Sequence, residues 1–316
     1  MSTGMNTAPQ SFRQRVKNDL RYQFYQMKQH RIHYLFMLPH ALIFITFTVL
    51  PVLIAIYLSF TSFNMLEKPE FVGLDNYFRL FLNDEIFTKA VGNTLLFAVV
   101  TGPIGYLMSF MFAWLINELS HLPRVIFTII FYAPSISGGM FVIWNYLFSG
   151  DAQGLVNSVL LRMNVISEPI LFFQDSNFMM PLIMMIILWM SLGTTFLVFI
   201  AGFQGVDRKF YEAAAIDGIN NRWQELWYIT LPLLKPQLML NAVLAITSAF
   251  GIGDIITQLA GFPSTNYAFH TVMNHLHDYG TIRYEMGYAC TIATVLFIIM
   301  LGSNLLIQRM LKRVGE

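Results

Sequence analysis

Six stretches of this 316-residue chain contain no Asp, Glu, Lys or Arg: 32–66, 90–117, 125–150, 176–206, 236–253 and 286–308. A helix needs about 20 predominantly apolar residues to cross the hydrocarbon of a bilayer. Trimmed to their most apolar parts, the stretches predict spans at 34–60, 92–116, 126–148, 179–203, 236–260 and 287–308. The expected fold class is therefore all-α: a six-helix polytopic membrane bundle over 34–316, with a cytoplasmic segment at 1–33. Barrel strands would show short alternating windows rather than runs of this length. Within 12–31, Val16, Leu20, Phe24 and Met27 recur at helical spacing among Arg15, Lys17, Arg21 and Lys28, which predicts an amphipathic helix in the membrane interface.

Composition agrees with that pattern. Charged residues make up 12% of the chain and apolar residues 56%, with a mean hydropathy of +0.56; soluble domains carry about twice that charge. The first apolar run begins late, is long and lacks a small-residue cleavage site, so it reads as a retained span. The single cysteine, Cys290, excludes an internal disulfide and a cysteine-based metal site. Charge sets orientation. Fourteen Lys and Arg fall in the N-terminal segment, 117–125, 204–235 and the C-terminal tail, against five in 61–91, 149–178 and 261–286. The positive-inside rule then puts both termini and 204–235 in the cytoplasm.

The segment "YEAAAIDGINNRWQELWYITLPLLKP" at 211–236 is out of keeping with its apolar flanks. Asp207 is placed to cap a helix running through Tyr211 to Ile216, and Gly218 interrupts it. Asn220 and Asn221 form a turn, Trp223 to Ile229 a second helix, and Pro232 and Pro236 constrain entry to the next span. The expected product is a rigid helix pair exposing Trp223, Leu226 and Trp227, either as anchors for a partner or, for the tryptophans, as headgroup-belt residues.

The motif "EAAAIDG…ITLPLLKP" resembles the coupling-loop signature of the membrane subunits of binding-protein-dependent ABC importers. The similarity extends to "YLFMLPHALIFITFTVLPVLIAIYLSFTSFN" at 34–64, "FVGLDNYFRLF" at 71–81 and "NTLLF" at 93–97, and is nearest to carbohydrate permeases of the maltose-type first-subunit kind. The resemblance implies that Glu212, Ala213, Ala214, Asp217, Gly218 and Pro232 belong to an ATPase-coupling element, with Glu212 meeting a donor on the ATPase. The step from Gly218 to Ile229 is one residue longer than the usual form, and the turn at Asn220–Asn221 is where it would be absorbed. It also implies partners: a second homologous permease, two cytoplasmic ATPase subunits, an extracytoplasmic solute-binding protein and the lipid of a bacterial inner membrane, with no nucleic acid.

The chain has no G-x-x-x-x-G-K-[ST] loop, and neither Gly138–Gly139 nor Gly251–Gly253 is followed by the lysine. ATP and Mg would therefore be bound by the partner ATPases, no cofactor by this chain, and the chain would not itself be an enzyme. His270, His275 and His277 beside Asp278 are the nearest approach to a metal cluster, but their loop position offers no orienting shell, so no metal site is expected. Polar groups inside spans are costly and tend to face a path: Asn93, Asn145, Ser191, Thr194, Thr195, Asn241, Thr247, Ser248, Asp254 and Gln258. The candidate path for a sugar comprises Tyr132, Trp144, Asn145, Trp189, Thr194, Asn241, Thr247, Asp254 and Gln258, the aromatics as stacking surfaces. For Asp254 a solute contact and a structural partner on another helix stay equally open. A permease for a non-sugar solute and a membrane scaffold recruiting a cytoplasmic protein are the alternative readings.

Overall fold

The structure, a computed structural model, describes residues 29, 31–137, 140–264 and 267–312. Nearly all of the expected interfacial helix at 12–31 lies outside the described residues. The chain divides into two units, Met1–Tyr57 and Leu58–Glu316.

Among the described residues, the first unit is one apolar helix, α1 (Leu35–Leu58, its last residue already in the second unit), none of whose residues is buried. It widens at Ile45–Val49 just before Pro51, and the Leu50 N–H reaches back five residues to the Ile45 carbonyl. A widened turn lets a helix pass a proline that has no N–H to give.

In the second unit, α2 (Glu85–Asn117) is the spine. Its 33 residues would span about 50 Å. The following helices are α3 (His121–Ile136), α4 (Met140–Leu147), α5 (Leu155–Arg162), α6 (Ser176–Met190), α7 (Thr194–Gly205), α8 (Arg208–Ile216), α9 (Arg222–Leu233), α10 (Lys235–Phe250), α11 (Gly253–Ala260), α12 (Val272–His277) and α13 (Met286–Lys312). A small hairpin, β1 (Thr61–Ser62) with β2 (Glu70–Phe71), pairs antiparallel. Three buried clusters lie along α2. Phe87 and Ala90 join Ile246, Phe250, Tyr288 and Ile292 at its start; Phe97 joins Met179, Ile183 and Ile256 midway; Phe110 and Trp114 join Phe196, Phe199, Leu226 and Leu238 at its end.

The chain is an all-α, polytopic membrane bundle, but the expected six uninterrupted spans are not what the structure contains. Among the described residues, four helical runs are long and apolar enough to cross: Leu35–Leu58, Glu85–Asn117, Phe178–Gly205 and Met286–Met310. A fifth exists if Arg222–Leu233 and Lys235–Phe250, bent by 78°, count as one. The stretch at 126–148 is divided between α3 and α4 at Ser137, and that at 236–260 ends at Phe250 before α11 begins beyond Gly251. Glycine lowers helix stability by about 1 kcal/mol, and both divisions fall at glycine-bearing stretches.

Candidate functional site

The α8–α9 segment is built as the local chemistry predicts. Asp207 caps α8 by accepting the Lys209 N–H at 3.0 Å. At the other end Gly218 has φ +90°, a left-handed conformation that a residue with a Cβ rarely adopts. The Ile219 N–H bonds the Ala214 carbonyl at 3.0 Å and the Gly218 N–H the Ala215 carbonyl at 3.3 Å, the paired bonds of a Schellman ending. Asn221 then caps α9 through the Trp223 N–H at 3.1 Å. The tie between the two helices is Tyr211 Oη to Thr230 Oγ1, 3.0 Å.

One expectation for this segment needs correction. Leu226 is not exposed but buried, completing the cluster with Phe110, Trp114 and Phe199. Ala214 likewise faces inward, leaving Glu212, Ala213, Ile216, Asp217 and Gly218 on the outer face. The chain turns sharply at Leu234, two residues beyond Pro232, which sits inside α9 just after a widened turn at Leu226–Thr230. Anchoring to α2 comes from Trp223 against Trp114, ring centroids 5.0 Å apart, and from Arg222, 3.3 Å from Glu118 at the end of α2 and also paired within α9 with Glu225 at 2.8 Å. Trp227 is exposed.

A cavity of about 380 Å³ opens between α2, α3, the α6–α7 break and the α10–α11 junction. Among the described residues, no charged residue lines it. The helix is interrupted at Ser191–Gly193 because the elements approach closely there: a methyl group at Gly193 would collide with the Ser135 hydroxyl, and one at Gly105 would lie 2.9 Å from the Ser191 Cβ. Small residues at membrane helix contacts permit such approach. The Ser191 carbonyl, freed by the break, accepts the Ser109 hydroxyl at 2.9 Å, as buried backbone at membrane depth requires. The hydroxyls of Ser135, Thr194, Thr195 and Ser248 also line the cavity and have no hydrogen-bond partner among the described residues.

Of the nine candidate path residues, only Thr194 lines this cavity. Trp144 and Trp189 pack edge to face on each other, centroids 5.3 Å apart, and Trp144 stacks on Phe148. Asn145 donates to the Gln258 carbonyl at 3.0 Å, joining α4 to α11. Asn241 is fully buried with neither amide atom partnered among the described residues. Thr247, whose hydroxyl bonds the Val243 carbonyl, Asp254 and Gln258 are exposed along α10 and α11, and Tyr132 is half-buried on α3. Asp254 has no ion pair among the described residues. Tyr106, Ser109 and Ser135 were missed. The spacing Gly102, Gly105, Ser109 on one face of α2 is the signal that could have found that wall.

The histidines sit at the opposite end of α2 and do not converge. His270 and His275 face each other, His277 bonds Thr281, and Asp278 pairs with Arg283 at 2.8 Å. Among the described residues no group of three His, Cys, Asp or Glu is placed to hold a metal ion.

Comparison with known proteins bears on both regions. The chain is 29% identical to a probable ABC transporter permease protein, YesP, of Bacillus subtilis (strain 168), across 84% of this chain and 86% of the relative. It is 30% identical to the lactose transport system permease protein LacF of Rhizobium radiobacter, across 84% of this chain and 89% of the relative. A crystal structure of a bacterial ABC transporter involved in import of the acidic polysaccharide alginate shares the fold, with a TM-score of 0.75 at 23% identity, covering 93% of this chain and 100% of that one. Residues 102–315 match the binding-protein-dependent transport system inner membrane component family. The membrane-length helices and this match over more than half its length establish that the chain belongs to that family, whose members are non-catalytic permease components of transport systems.

Proposed function

We propose that this chain is the transmembrane subunit of an ATP-driven importer, forming a translocation path for a sugar or oligosaccharide and coupled to cytoplasmic ATPases through 204–235. The observation that carries the coupling is the Schellman-ended α8. Its outer face of Glu212, Ala213, Ile216, Asp217 and Gly218 is held rigidly on a hairpin pinned to α2 through Leu226, Trp223 and Arg222. A push on such a face is passed to α2 and α10 by packing contacts. ATP and Mg are bound by the ATPases, solute arrives on an extracytoplasmic binding protein, and a second homologous permease completes the path.

In this reading α3 with α4, and α10 with α11, each make one interrupted crossing, so six crossings leave both termini in the cytoplasm. The chain is then a carbohydrate permease of the maltose-type first-subunit kind. Support for a sugar comes from the lactose-system relative and from the cavity, whose unpartnered hydroxyls can exchange hydrogen bonds with a polyol. The lack of charge in the wall favours an uncharged sugar over an acidic one. Thr247, Asp254 and Gln258 are exposed on α10 and α11, open to contact with solute or with the second permease.

The test is ATPase activity of the complex reconstituted with its candidate partners, using binding protein loaded with a panel of mono- and oligosaccharides. One sugar should stimulate hydrolysis, and Gly218→Pro should abolish that stimulation while the complex stays assembled. An intact complex that responds to no sugar would move the substrate to another class. A chain that binds no ATPase would end the coupling assignment.

A further inference from the structure

The end of α2 remote from α8–α9 contains a chain of buried polar groups that the transport reading does not use. Asp84, the residue before α2, accepts the Phe87 N–H on Oδ1 at 2.8 Å. Its Oδ2 lies 2.7 Å from the Tyr288 hydroxyl on α13 and 2.9 Å from His275 Nε2 on α12. His275 Nδ1 is in turn 3.2 Å from His270 Nε2. The series ends at His270 Nδ1, which is buried without a partner among the described residues. His270 and His275 are each 1% exposed. Asn93 on α2 donates to the backbone carbonyls of Ala268 and His270, both at 3.0 Å, so the segment that carries the histidines is fastened to α2 by the same region.

Proton counting follows from this geometry. The His275 Nε2–H donates to the Asp84 carboxylate. Only one hydrogen fits between His270 Nε2 and His275 Nδ1. A further proton on the pair therefore ends on His270 Nδ1, whichever tautomers are drawn, where it would be a buried, unpaired N–H on a cation. Such a group is expensive to keep in place.

We propose that His270, His275 and Asp84 form a proton-operated latch that holds the 267–285 segment against the start of α2 and α13 at neutral pH and releases it on acidification. Among the described residues, aromatic and charged groups from several elements face the latch. Tyr267 packs on His270, and Tyr279 and Phe87 on His275. Arg79 lies over the Tyr288 ring at 4.2 Å and pairs with Glu285. Arg283 lies over Tyr279 at 4.4 Å and pairs with Asp278. Exposed His277 lies beyond Phe262.

Burial, with the neighbouring His275 adding to it and Asp278 and Asp84 opposing it, depresses His270 to about 4. Burial also lowers His275, against the pull of Asp84. For Asp84, burial acts to raise the pKa, but the hydrogen bonds from Tyr288 and the Phe87 N–H, with His275 nearby, hold it below the usual carboxylate value. The released form takes up a proton near pH 6.5 and the latched form does not until about 4. Latch stability is therefore level above pH 6.5 and falls with pH between those values. Loss of the Asp84 carboxylate belongs to lower pH still. On the orientation proposed above, the latch faces outside and would make the outer cap responsive to external acidity.

The test is hydrogen exchange of peptides from 267–285 in the full chain within its purified assembly, corrected for intrinsic rates. Protection should fall about 30-fold between pH 7.5 and 5.0 for one histidine shifted from 6.5 to 4. His270→Gln keeps an N–H donor toward His275 without a titrating ring, and should flatten the profile; His277→Gln should leave it unchanged. Flat protection in the native chain would overturn the latch even if His270→Gln fails to fold. So would a His270→Gln profile that follows the native one, or a His277→Gln variant that abolishes it. The measurement reads the cap directly, so it stands apart from the substrate assignment.

Discussion

The two ends of α2 hold their neighbours by opposite means. At Asp84, charge and hydrogen-bonding groups are drawn inward, and α2, α12 and α13 meet through a carboxylate, two imidazoles and a phenol. At Asn117 the inward groups are apolar, Leu226 and Trp114 among them, while the charges of α8 and α9 point outward and the helix ends are closed by backbone and side-chain caps. A join made of buried polar groups is strong but depends on protonation. A join made chiefly of apolar packing and caps, with one exposed ion pair between Arg222 and Glu118, depends less on protonation and leaves one face free for another protein.

The largest effect should come from Asp84→Ala. It strands the Tyr288 hydroxyl and the His275 N–H and removes the cap at Phe87, for a loss of about 3 kcal/mol or more. Thermal unfolding of the detergent-solubilised chain reads this. A midpoint shift no larger than that of Asp151→Ala, an exposed position, would show that the buried network does not support this end.

At the other end Gly218→Val should cost about 1–3 kcal/mol of backbone strain, because the native φ is +90°. The loss should be confined to exchange of amides 214–221. Equal loosening at 87–94 would contradict the independence of the two joins. A smaller effect, about 1 kcal/mol, is expected for Tyr211→Phe, which deletes the bond to Thr230. A double-mutant cycle with Thr230→Val should recover most of that value as coupling energy, and a cycle that closes to zero would remove the tie. Glu212→Ala should be the mildest for stability, below about 0.5 kcal/mol, since its only ion pair among the described residues is an exposed 3.5 Å contact with Arg208 one turn away. If it nonetheless lowers stimulated ATP hydrolysis, the lost contact belongs to a partner; if hydrolysis is unchanged, Glu212 has no part in coupling.

Local signals were legible in the chain. Asp207 as a cap, Gly218 as a helix ending and Asn221 as a turn residue act within four or five positions of themselves, so their chemistry is complete in the sequence. The apolar runs identified a membrane bundle for the same reason. Continuity of a run did not guarantee continuity of a helix: 126–148 and 236–260 are uncharged through most of their length and still divide. Hydropathy measures what lipid tolerates and is blind to where a neighbouring helix requires a bend.

The candidate path illustrates the same limit. Trp144, Trp189 and Asn145 are polar or aromatic enough to serve a solute, yet their neighbours use them for packing and for a helix-to-helix bond. The small residues that shape the cavity, Gly105, Ser135 and Gly193, carry little signal one at a time and acquire meaning only when three helices bring them within contact. Class, helix caps and the exposed hairpin were thus written in short-range patterns, since each depends on residues a few positions apart. The cavity wall, the inward turn of Leu226 and the Asp84–His275–His270 series join residues up to 191 positions apart. Only the packed fold could decide them, because burial and hydrogen-bond partnership are properties of neighbours in space.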